Sequence, residues 1–574
     1  MYTHFWRIAA VFLLVATLAG CASTAPSPSE EPSSDALAVP PAPRLSVPVP
    51  APDTFAVTPA RPPYAWFHMD AEADGYPGLS THRVHTTLLA DRAPQQTVTV
   101  AIIDSGVDIA HPELRSQHWV NADETPANDV DDDRNRYVDD AEGWNFLGNA
   151  QGENIDNDTY ELTRLYRTYR TWVNATDTTA LSPAGRDSLD YFYTLRRDFV
   201  AARDDAKQQL ANVRNAYNTV QGIERFLQQQ LGVEEITPAV VARLKDRDDP
   251  RLQQAYDILN FFYEQDLTPG DIEQFYNQLN SQVEYGYNPD FEPRSLVGDT
   301  YSDPTEQGYG NPDVHGPDPS HGTHVAGIVG AARDTTLRID GVAPAVRLMA
   351  VRAVPDGDER DKDVANAIRY AANNGADIIN MSFGKGYSPR KAVVDAAVRH
   401  ADSLGVLMVH AAGNSAQDVD VEDNFPNPNY AAGGRATNWI EVGASGWQMN
   451  EELVASFSNY GAEGVDVFAP GVDIYSSTPD SSYRFNSGTS MAAPMVSGVA
   501  ALLMAYYPEL DATEVREIIL ESAVSYAGQQ VARPSSGADA PAATVDFGTL
   551  SATGAIVNAY EAIRMAEERR QARE

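Results

Sequence analysis

A loop passes directly into an apolar run near the carboxyl end of the chain: Asn486-Ser487-Gly488-Thr489-Ser490-Met491-Ala492-Ala493-Pro494, then residues 495–503. Glycine, hydroxyl residues and small side chains stand where this loop turns into a helix. A serine at such a junction can be held exposed, with its N–H and the helix N-terminus directed at a developing oxyanion. By itself Gly488-Thr489-Ser490 is typical of a common turn, so a catalytic interpretation needs a base, an orienting acid and an oxyanion donor elsewhere.

Composition narrows the class of protein. The 574 residues are enough for a large catalytic domain and an additional segment. Apolar residues make up 43%, which is ordinary for a globular protein. The chain has 42 basic and 81 acidic residues, a formal net charge of −39. Because this charge repels phosphate backbones, no nucleic-acid partner is expected.

The N-terminus has the pattern of an export signal. Arg7 precedes an apolar run over residues 8–18 that is too short to span a bilayer. Leu18-Ala19-Gly20-Cys21 resembles the bacterial lipobox, and Cys21 is the only cysteine of the chain. The resemblance implies a lipoprotein signal peptide over residues 1–20, lipidation of Cys21 and, because Ala22 follows, anchoring at the outer membrane. An ordinary secretory signal peptide is the alternative.

The next segment differs from a folded domain. Residues 21–63 are rich in proline, alanine and serine, which predicts a semi-extended, disordered tether. From Tyr64 the pattern becomes globular, and we expect one domain over residues 64–155 and 291–565, with a charged tail at 566–574.

Short apolar runs alternate with helical patterns in that domain. Residues 97–103 are β-branched and apolar, which predicts a buried parallel strand ending at Asp104. Further strands are predicted at 346–351, 376–381, 406–409, 441–444 and 465–470, and a last strand and helix at 548–564. The alternation indicates an α/β fold with a mostly parallel central sheet. The carboxyl end of such a sheet is where α/β proteins place their chemistry.

Residues 156–290 have a different pattern, which predicts an all-α insertion. Apolar residues recur by threes and fours at Leu189, Phe192, Leu195, Phe199, Ala202, Ala206, Leu210, Val213, Tyr217 and Val220. This stripe predicts one long amphipathic helix, bounded by Pro183 and Gly232. Thr268-Pro269-Gly270-Asp271 predicts the start of another helix, with Thr268 as its N-cap. We expect an antiparallel helical hairpin with the stripe as its packing seam; a partner protein bound there is left open.

An acidic loop predicts a calcium site. Asp131, Asp133, Asn135 and Asp139 stand at alternate positions, and Tyr137 can offer its carbonyl oxygen. This is the ligand spacing of an EF-hand-like loop, although Arg136 replaces the expected glycine and no helix pair is evident. Because so many carboxylates repel one another without a cation, a structural Ca²⁺ is expected. A merely solvated acidic loop is the alternative.

Four motifs then occur in a fixed order. They are Asp104-Ser105-Gly106-Val107-Asp108, the stretch from His321 to Gly327 (His-Gly-Thr-His-Val-Ala-Gly), Ala411-Ala412-Gly413-Asn414, and Gly488-Thr489-Ser490-Met491. Together they resemble the signatures of the subtilisin-like serine peptidases, in that family's order of Asp, His and Ser. The resemblance implies a subtilisin-like three-layer α/β fold and serine endopeptidase activity on proteins or peptides.

The chemistry of these residue types fits that resemblance. Ser490 needs a neighbour that takes its proton, and histidine, here His321, titrates near neutral pH. Asp104 would fix the tautomer of His321 and stabilise its imidazolium form. Asn414, with the Ser490 N–H, would donate to the oxyanion.

The resemblance also implies a substrate-binding region. Ser382-Phe383-Gly384 would be the edge on which the substrate backbone pairs as an added strand. Ala411-Ala412-Gly413 would form the opposite wall of the S1 pocket.

Other functions fit the residues less well. His324 stands three residues after His321, but zinc peptidases use His-Glu-x-x-His, so His324 is expected to be a packed histidine, as are His111, His315 and His410. An esterase is disfavoured because Gly-x-Ser-x-Gly is missing around Ser490. The main alternative to a peptidase is a catalytically silent scaffold whose helical insertion binds a partner protein.

Overall fold

The computed structural model describes residues 61–573, except 246, 265–266, 334–337 and 536–542. Cys21, the signal peptide at 1–20 and nearly all of the tether at 21–63 therefore lie outside the described residues.

A nine-stranded sheet forms the centre of the molecule, in the order β10-β13-β7-β6-β5-β4-β1-β3-β2. Its strands are β1 (Val98–Asp104), β2 (Gly143–Asn145), β3 (Val346–Arg352), β4 (Ile378–Met381), β5 (Leu407–Ala411), β6 (Trp439–Ser445), β7 (Val467–Pro470), β10 (Val524–Ser525) and β13 (Ala555–Ile556). All neighbouring strands pair in parallel except β10 and β13. The predicted, mostly parallel α/β sheet is confirmed.

Two smaller sheets pair antiparallel strands. One is the hairpin of β8 (Ile474–Thr478) and β9 (Ser482–Asn486), and the other pairs β11 (Gln530–Ala532) with β12 (Thr544–Asp546). The hairpin β8–β9 matters for function, because β9 runs directly into the loop before Ser490.

Helices cover both faces of the central sheet. The helices of the described chain are α1 (Thr81–Thr86), α2 (Glu161–Ala175), α3 (Pro183–Leu231), α4 (Pro238–Ala242), α5 (Pro250–Glu264), α6 (Pro269–Ser281), α7 (Ser320–Gly330), α8 (Asp361–Asn373), α9 (Lys391–Ser403), α10 (Thr489–Tyr506), α11 (Ala512–Glu521) and α12 (Ala559–Arg573). Successive residues of β1 point to opposite faces: Val100 and Ile102 pack with α7 and α10, whereas Ala101 and Ile103 pack with α8 and α9. The result is the expected three-layer, subtilisin-like arrangement.

The apolar helix α10 begins at the Ser490 loop and runs beneath the sheet. Of the described helices it alone has the length and composition of a membrane span, but 94% of it is buried inside the domain. It is therefore the central core helix of this domain.

The insertion consists of helices α2 to α6. As predicted, one long helix, α3, begins after Ser182, whose side chain accepts from the Gly185 N–H, and ends before Gly232 at φ 64°. The capping box between Thr268 and Asp271 at the start of α6 is also present. The expected two-helix hairpin is wrong, because α2 packs on the first part of α3 and α6 on the second. Ring stacking of Tyr217 on Tyr276, with centroids 4.3 Å apart, belongs to the second contact.

The C-terminal segment also differs from the expectation. Residues 547–549 form a 3₁₀ turn, the last strand is β13, and α12 extends to Arg573. The segment predicted as a charged tail is thus helical through residue 573. Its charges pair with α11, for example Arg569 with Glu521 at 2.7 Å.

Candidate active site

The predicted acid and base come together at the edge of the central sheet. Asp104 is the last residue of β1, and His321 lies in the first turn of α7. The Nδ1 of His321 lies 2.7 Å from Oδ1 of Asp104, whose side chain is buried. Gly322 permits this approach, because a Cβ there would lie 2.1 Å from the carbonyl oxygen of Gly106.

The negative charge of Asp104 sets the direction in which the pKa of His321 is shifted. Burial lowers the pKa of His321, but the negative charge of Asp104 and its hydrogen bond outweigh burial and the nearby positive charge of Arg484. The pKa of His321 is therefore raised above its ordinary value. Since Nδ1 is engaged with Asp104, Nε2 is the nitrogen left to exchange a proton with a reactant.

Ser490 lies in the first turn of α10 and is buried. Its Oγ donates to the carbonyl oxygen of Ser382 at 3.0 Å, and the Ser382 hydroxyl donates to the carbonyl oxygen of Ser490 at 2.9 Å. The serine is thus tied in both directions to the segment that was predicted to bind the substrate backbone.

Two hydrogen-bond donors meet beside Ser490. The Oδ1 atom of Asn414 accepts from the N–H of Thr489 at 2.8 Å and from its hydroxyl at 3.0 Å. Because a backbone N–H can only donate, the side-chain atom of Asn414 that contacts Thr489 is its oxygen. The amide nitrogen of Asn414 is therefore the atom that can donate to a reactant. Within the described part of the chain, the N–H of Ser490 has no acceptor. The predicted oxyanion donors are therefore adjacent and available.

The predicted substrate edge has a buried support that the sequence did not reveal. Nε2 of His410 lies 2.8 Å from the carbonyl oxygen of Phe383, and its Nδ1 lies 2.8 Å from Glu441. Burial lowers the pKa of His410, but Glu441 outweighs it, so this pKa is raised. His410 is packed, as expected, and it also holds the middle residue of Ser382-Phe383-Gly384. The partner Glu441 lies on a neighbouring strand and has no sequence signal.

The opposite wall of the site is fixed by asparagines. The carbonyl oxygen of Ala412 accepts from Asn459 at 2.7 Å and from Asn424 at 3.1 Å, and Asn459 N–H donates to the carbonyl oxygen of Gly413 at 2.9 Å. Gly413 itself has φ 104°, a conformation that favours glycine. The segment Ala411-Ala412-Gly413, which begins at the last residue of β5, is therefore held in place beside Asn414. Asn424 and Asn459 were not singled out by any motif.

His324 is structural, as predicted. It is completely buried, and its Nε2 lies 3.1 Å from the carbonyl oxygens of both Ile474 and Arg484. Burial lowers the pKa of His324 to about 3, so it stays neutral. The contact joins α7 to the hairpin β8–β9.

The acidic loop is ordered differently from an EF-hand loop. Asp131 accepts from the N–H groups of Asn135 and Arg136, and Asp139 accepts from those of Asn128 and Asp129. The Asn135 side chain accepts from the N–H of Tyr137, whose ring is buried against Trp144. These predicted ligands are thus engaged within the loop itself. The residue at the glycine position, Arg136, adopts φ 85°.

A compact carboxylate cluster lies beside that loop. One oxygen each from Glu124, Asp133 and Asp140 lie within 4.8 Å of one another, so Asp133 is the only predicted ligand in the cluster. Oε2 of Glu124 is buried without a hydrogen-bond partner in the described chain, and burial raises the pKa of Asp140 to about 6. Glu124 was missed because it precedes the loop that carries the motif.

Comparisons with known proteins find related sequences. The sequence model of the Subtilase family matches residues 95–538. The Thermophilic serine proteinase of Bacillus sp. (strain AK1) is 36% identical over 267 residues, 46% of this chain and 60% of that relative. Subtilisin DY of Bacillus licheniformis is 39% identical over 208 residues, 36% of this chain and 70% of that relative. Among solved structures, a protease from Pseudoalteromonas arctica aligns with a TM-score of 0.36 and 27% identity, over 45% of this chain and 78% of that chain.

The matches differ in how much of each protein they cover. The match to the first of these relatives spans less than two thirds of its length. The family match, by contrast, covers most of the present chain and includes Asp104, His321, Asn414 and Ser490. Because the family model matches more than half of its length, the chain belongs to the subtilase family.

Proposed function

We propose that this protein is a serine endopeptidase that hydrolyses peptide bonds of proteins through an acyl-enzyme on Ser490. The observation that carries the proposal is the 2.7 Å contact between Asp104 and His321, at a site where Ser490 opens helix α10. The adjacent free donors of Asn414 and of the Ser490 backbone support the same chemistry.

The reaction follows from the roles of these atoms. The Nε2 of His321 takes the proton of the Ser490 hydroxyl as Oγ attacks the scissile carbonyl carbon. The tetrahedral oxyanion accepts hydrogen bonds from the Ser490 N–H and the Asn414 amide. The imidazolium, stabilised by Asp104, then gives its proton to the leaving amine as the C–N bond breaks, which leaves an ester on Ser490. Water attacks the ester carbon while His321 takes a proton from it. The ester C–O bond then breaks, the carboxylic acid product leaves, and His321 returns the proton to Oγ of Ser490.

Labelling with a fluorophosphonate probe tests this proposal. We expect the folded wild-type protein to be labelled and to cleave a casein substrate, and Ser490→Ala to lose both. The matched control is Ser482→Ala, an exposed serine of the hairpin β8–β9, which should keep both. If the folded wild-type protein is not labelled, the alternative of a silent scaffold, with a partner bound by the helical insertion, replaces the proposal.

We further propose a structural Ca²⁺ at the cluster of Glu124, Asp133 and Asp140. The grouped carboxylate oxygens and the unpartnered, buried Oε2 of Glu124 support it, since Ca²⁺ prefers several oxygen ligands. Exhaustive chelation should lower the melting temperature, and Ca²⁺ but not excess Na⁺ should restore it. An unchanged melting curve after chelation would contradict the site.

The outer-membrane anchor remains a separate proposal from sequence. It depends on Leu18-Ala19-Gly20-Cys21 and the length of the tether, so lipid would attach to Cys21. Expression in a Gram-negative host with a radiolabelled fatty acid should label the wild-type protein and not Cys21→Ser. Label retained by Cys21→Ser, or label absent from both, would refute the anchor.

A further inference from the structure

A cavity of about 290 Å³ lies between the insertion and the hairpin β8–β9. From the insertion, the start of α6 lines it, and from the hairpin, the end of β9. Its lining residues are Arg61, Thr268, Asp271, Gln274, Phe275, Tyr475, Tyr483, Arg484, Phe485 and Asn486. Four aromatic rings form part of its wall, and a charged group packed against them is less well solvated than in open water.

The cavity adjoins the catalytic residues on the histidine side of Ser490. Asn486 ends β9 and precedes Ser490 by four residues. Hydroxyl groups of β8 bind the helix that carries His321: Ser476 donates to the carbonyl oxygen of His324 at 2.8 Å, and Ser477 to that of Thr323 at 3.0 Å. Since His321 would hand its proton to the leaving amine, the leaving-group part of a substrate would pass this cavity.

Arg484 is the unusual residue of the cavity. In a chain with almost twice as many acidic as basic residues, no carboxylate of the described part lies within 4 Å of its guanidinium. Its Nε is buried and has no hydrogen-bond partner among the described residues. Burial lowers the pKa of Arg484, which the charges of Asp318 and Asp271 only partly offset. A half-buried guanidinium without an acceptor is costly unless a ligand supplies one.

From this geometry we infer that the cavity between α6 and the hairpin β8–β9 binds a carboxylate of the substrate on the leaving-group side, with Arg484 as its partner. The inference deepens the proposed peptidase function and rests on it. Arginine presents a planar fork of donors that matches a carboxylate, and the surrounding rings accommodate the carbon atoms of an aspartate or glutamate side chain. The insertion thereby contributes one wall of a specificity site.

The other charged groups that line the cavity are compatible with an anion. Asp271 is already used by the capping box, because its carboxylate accepts from the N–H of Thr268 at 2.8 Å and from its hydroxyl at 2.7 Å. Arg61 adds positive charge and stacks over Phe485, with its guanidinium carbon 5.0 Å from the ring centroid. The cavity is therefore net positive on its hairpin side, within a protein of net charge −39.

Matched peptides test this specificity. Internally quenched peptides would carry Asp or Asn at one of the first three positions after the scissile bond, and kcat/KM would be compared pair by pair. We expect the wild-type protein to prefer Asp over Asn about tenfold at one position, the size of a charge-assisted contact. Arg484→Gln should bring the Asp-to-Asn ratio to about 1.

The matched control is Arg338→Gln, which removes the same charge from the other side of the hairpin. The Arg338 guanidinium lies over the rings of Tyr475 and Tyr483 at 5.4 and 5.0 Å and does not line the cavity. This variant should keep the tenfold ratio, which separates a local contact from the long-range field of the protein. An equal ratio in wild type and Arg484→Gln would overturn the proposal.

A binding measurement separates this proposal from the peptidase function. Ser490→Ala protein would be titrated with the fluorescent Asp and Asn peptides, and Kd compared with that of Ser490→Ala/Arg484→Gln. Tighter binding of the Asp peptide, lost in the double variant, supports the cavity even if the wild-type protein cleaves neither peptide. Equal Kd values for the two peptides refute it even if both are cleaved.

Discussion

The peptidase domain and the insertion are stabilised in different ways. In the peptidase domain, the candidate catalytic groups stand at the ends of elements that pack against a nine-stranded sheet. The insertion has an apolar cluster of its own, with Leu227, Leu259 and Leu267 fully buried. The difference shows that each region buries an apolar cluster of its own.

The two regions nevertheless meet through buried charges. Glu161, at the start of α2, contacts Arg164 at 2.7 Å and Lys385 at 3.1 Å. Lys385 also contacts Asp361 at 2.8 Å, and all four side chains are buried. We call these four residues the junction network. Since Lys385 directly follows Ser382-Phe383-Gly384, the insertion is fastened beside the proposed substrate edge.

The largest expected effect is a loss of turnover caused by a substitution in the peptidase domain. Asp104→Asn should lower kcat about 10⁴-fold, because His321 loses the group that fixes its tautomer. The base must be neutral, so wild-type kcat/KM should rise with pH through the pKa of His321, with a midpoint above the ordinary value of a histidine. In Asp104→Asn that midpoint should fall, because burial and Arg484 then lower the pKa of His321 against the weaker opposing charge of Asp318 alone.

The contribution of the Asp104–His321 pair to fold stability should change with pH in the opposite direction to kcat/KM. Because the folded pKa of His321 is raised, the pair stabilises the fold below the unfolded pKa and this contribution is lost as pH rises through the folded value. Equal pH midpoints for kcat/KM in wild type and Asp104→Asn would contradict the proposed role of Asp104.

Breaking the junction network should have the next largest effect. Lys385→Met leaves Glu161 and Asp361 as buried charges without Lys385, which should lower the free energy of unfolding by about 3–5 kcal/mol. Denaturant unfolding measures this change. The matched control is Arg564→Met, which removes exposed ion pairs with Glu561 and Glu568 and should change the free energy of unfolding far less. Similar losses in both variants would show that burial of the network is unimportant.

Removing the oxyanion donor should affect turnover alone. Asn414→Ala should lower kcat about 10²–10³-fold at nearly constant KM; this size is the one established for an oxyanion-hole asparagine in a subtilisin and is adopted as such. Single-turnover kinetics would locate the loss in acylation. Asn260→Ala, at an exposed amide on the insertion, is the control and should match wild type. A change confined to KM would place Asn414 outside the transition-state contacts.

The smallest expected effect compares the two cores directly. Ile236→Val in the insertion and Ile440→Val in the sheet remove the same methylene group from buried positions. Each should lower the free energy of unfolding by about 0.5–1.5 kcal/mol. If the cores are independent, Ile236→Val should leave kcat/KM unchanged, as followed with a neutral peptide. A matching loss of kcat/KM would show that the insertion core supports the catalytic geometry.

The local features were predictable from sequence because neighbouring residues determine them. The strand that ends at Asp104, the boundaries of α3 at Pro183 and Gly232, and the capping box of Thr268 with Asp271 all depend on periodicity and on hydrogen bonds within a few residues. The calcium site stays a prediction; the EF-hand spacing included Asp133 and omitted Glu124, whose carboxylate reaches the cluster from outside the motif.

By itself, then, the sequence determined the α/β alternation, the helical insertion, and the identity and order of Asp104, His321, Asn414 and Ser490. Only the tertiary structure decided that His410 holds Phe383, that Glu161 pairs with Lys385, and that the Nε of Arg484 is buried without a hydrogen-bond partner among the described residues. The physical reason is distance along the chain. Residues that are tens to hundreds of positions apart meet only after helices and strands have packed, and no local pattern records which of them will become buried together.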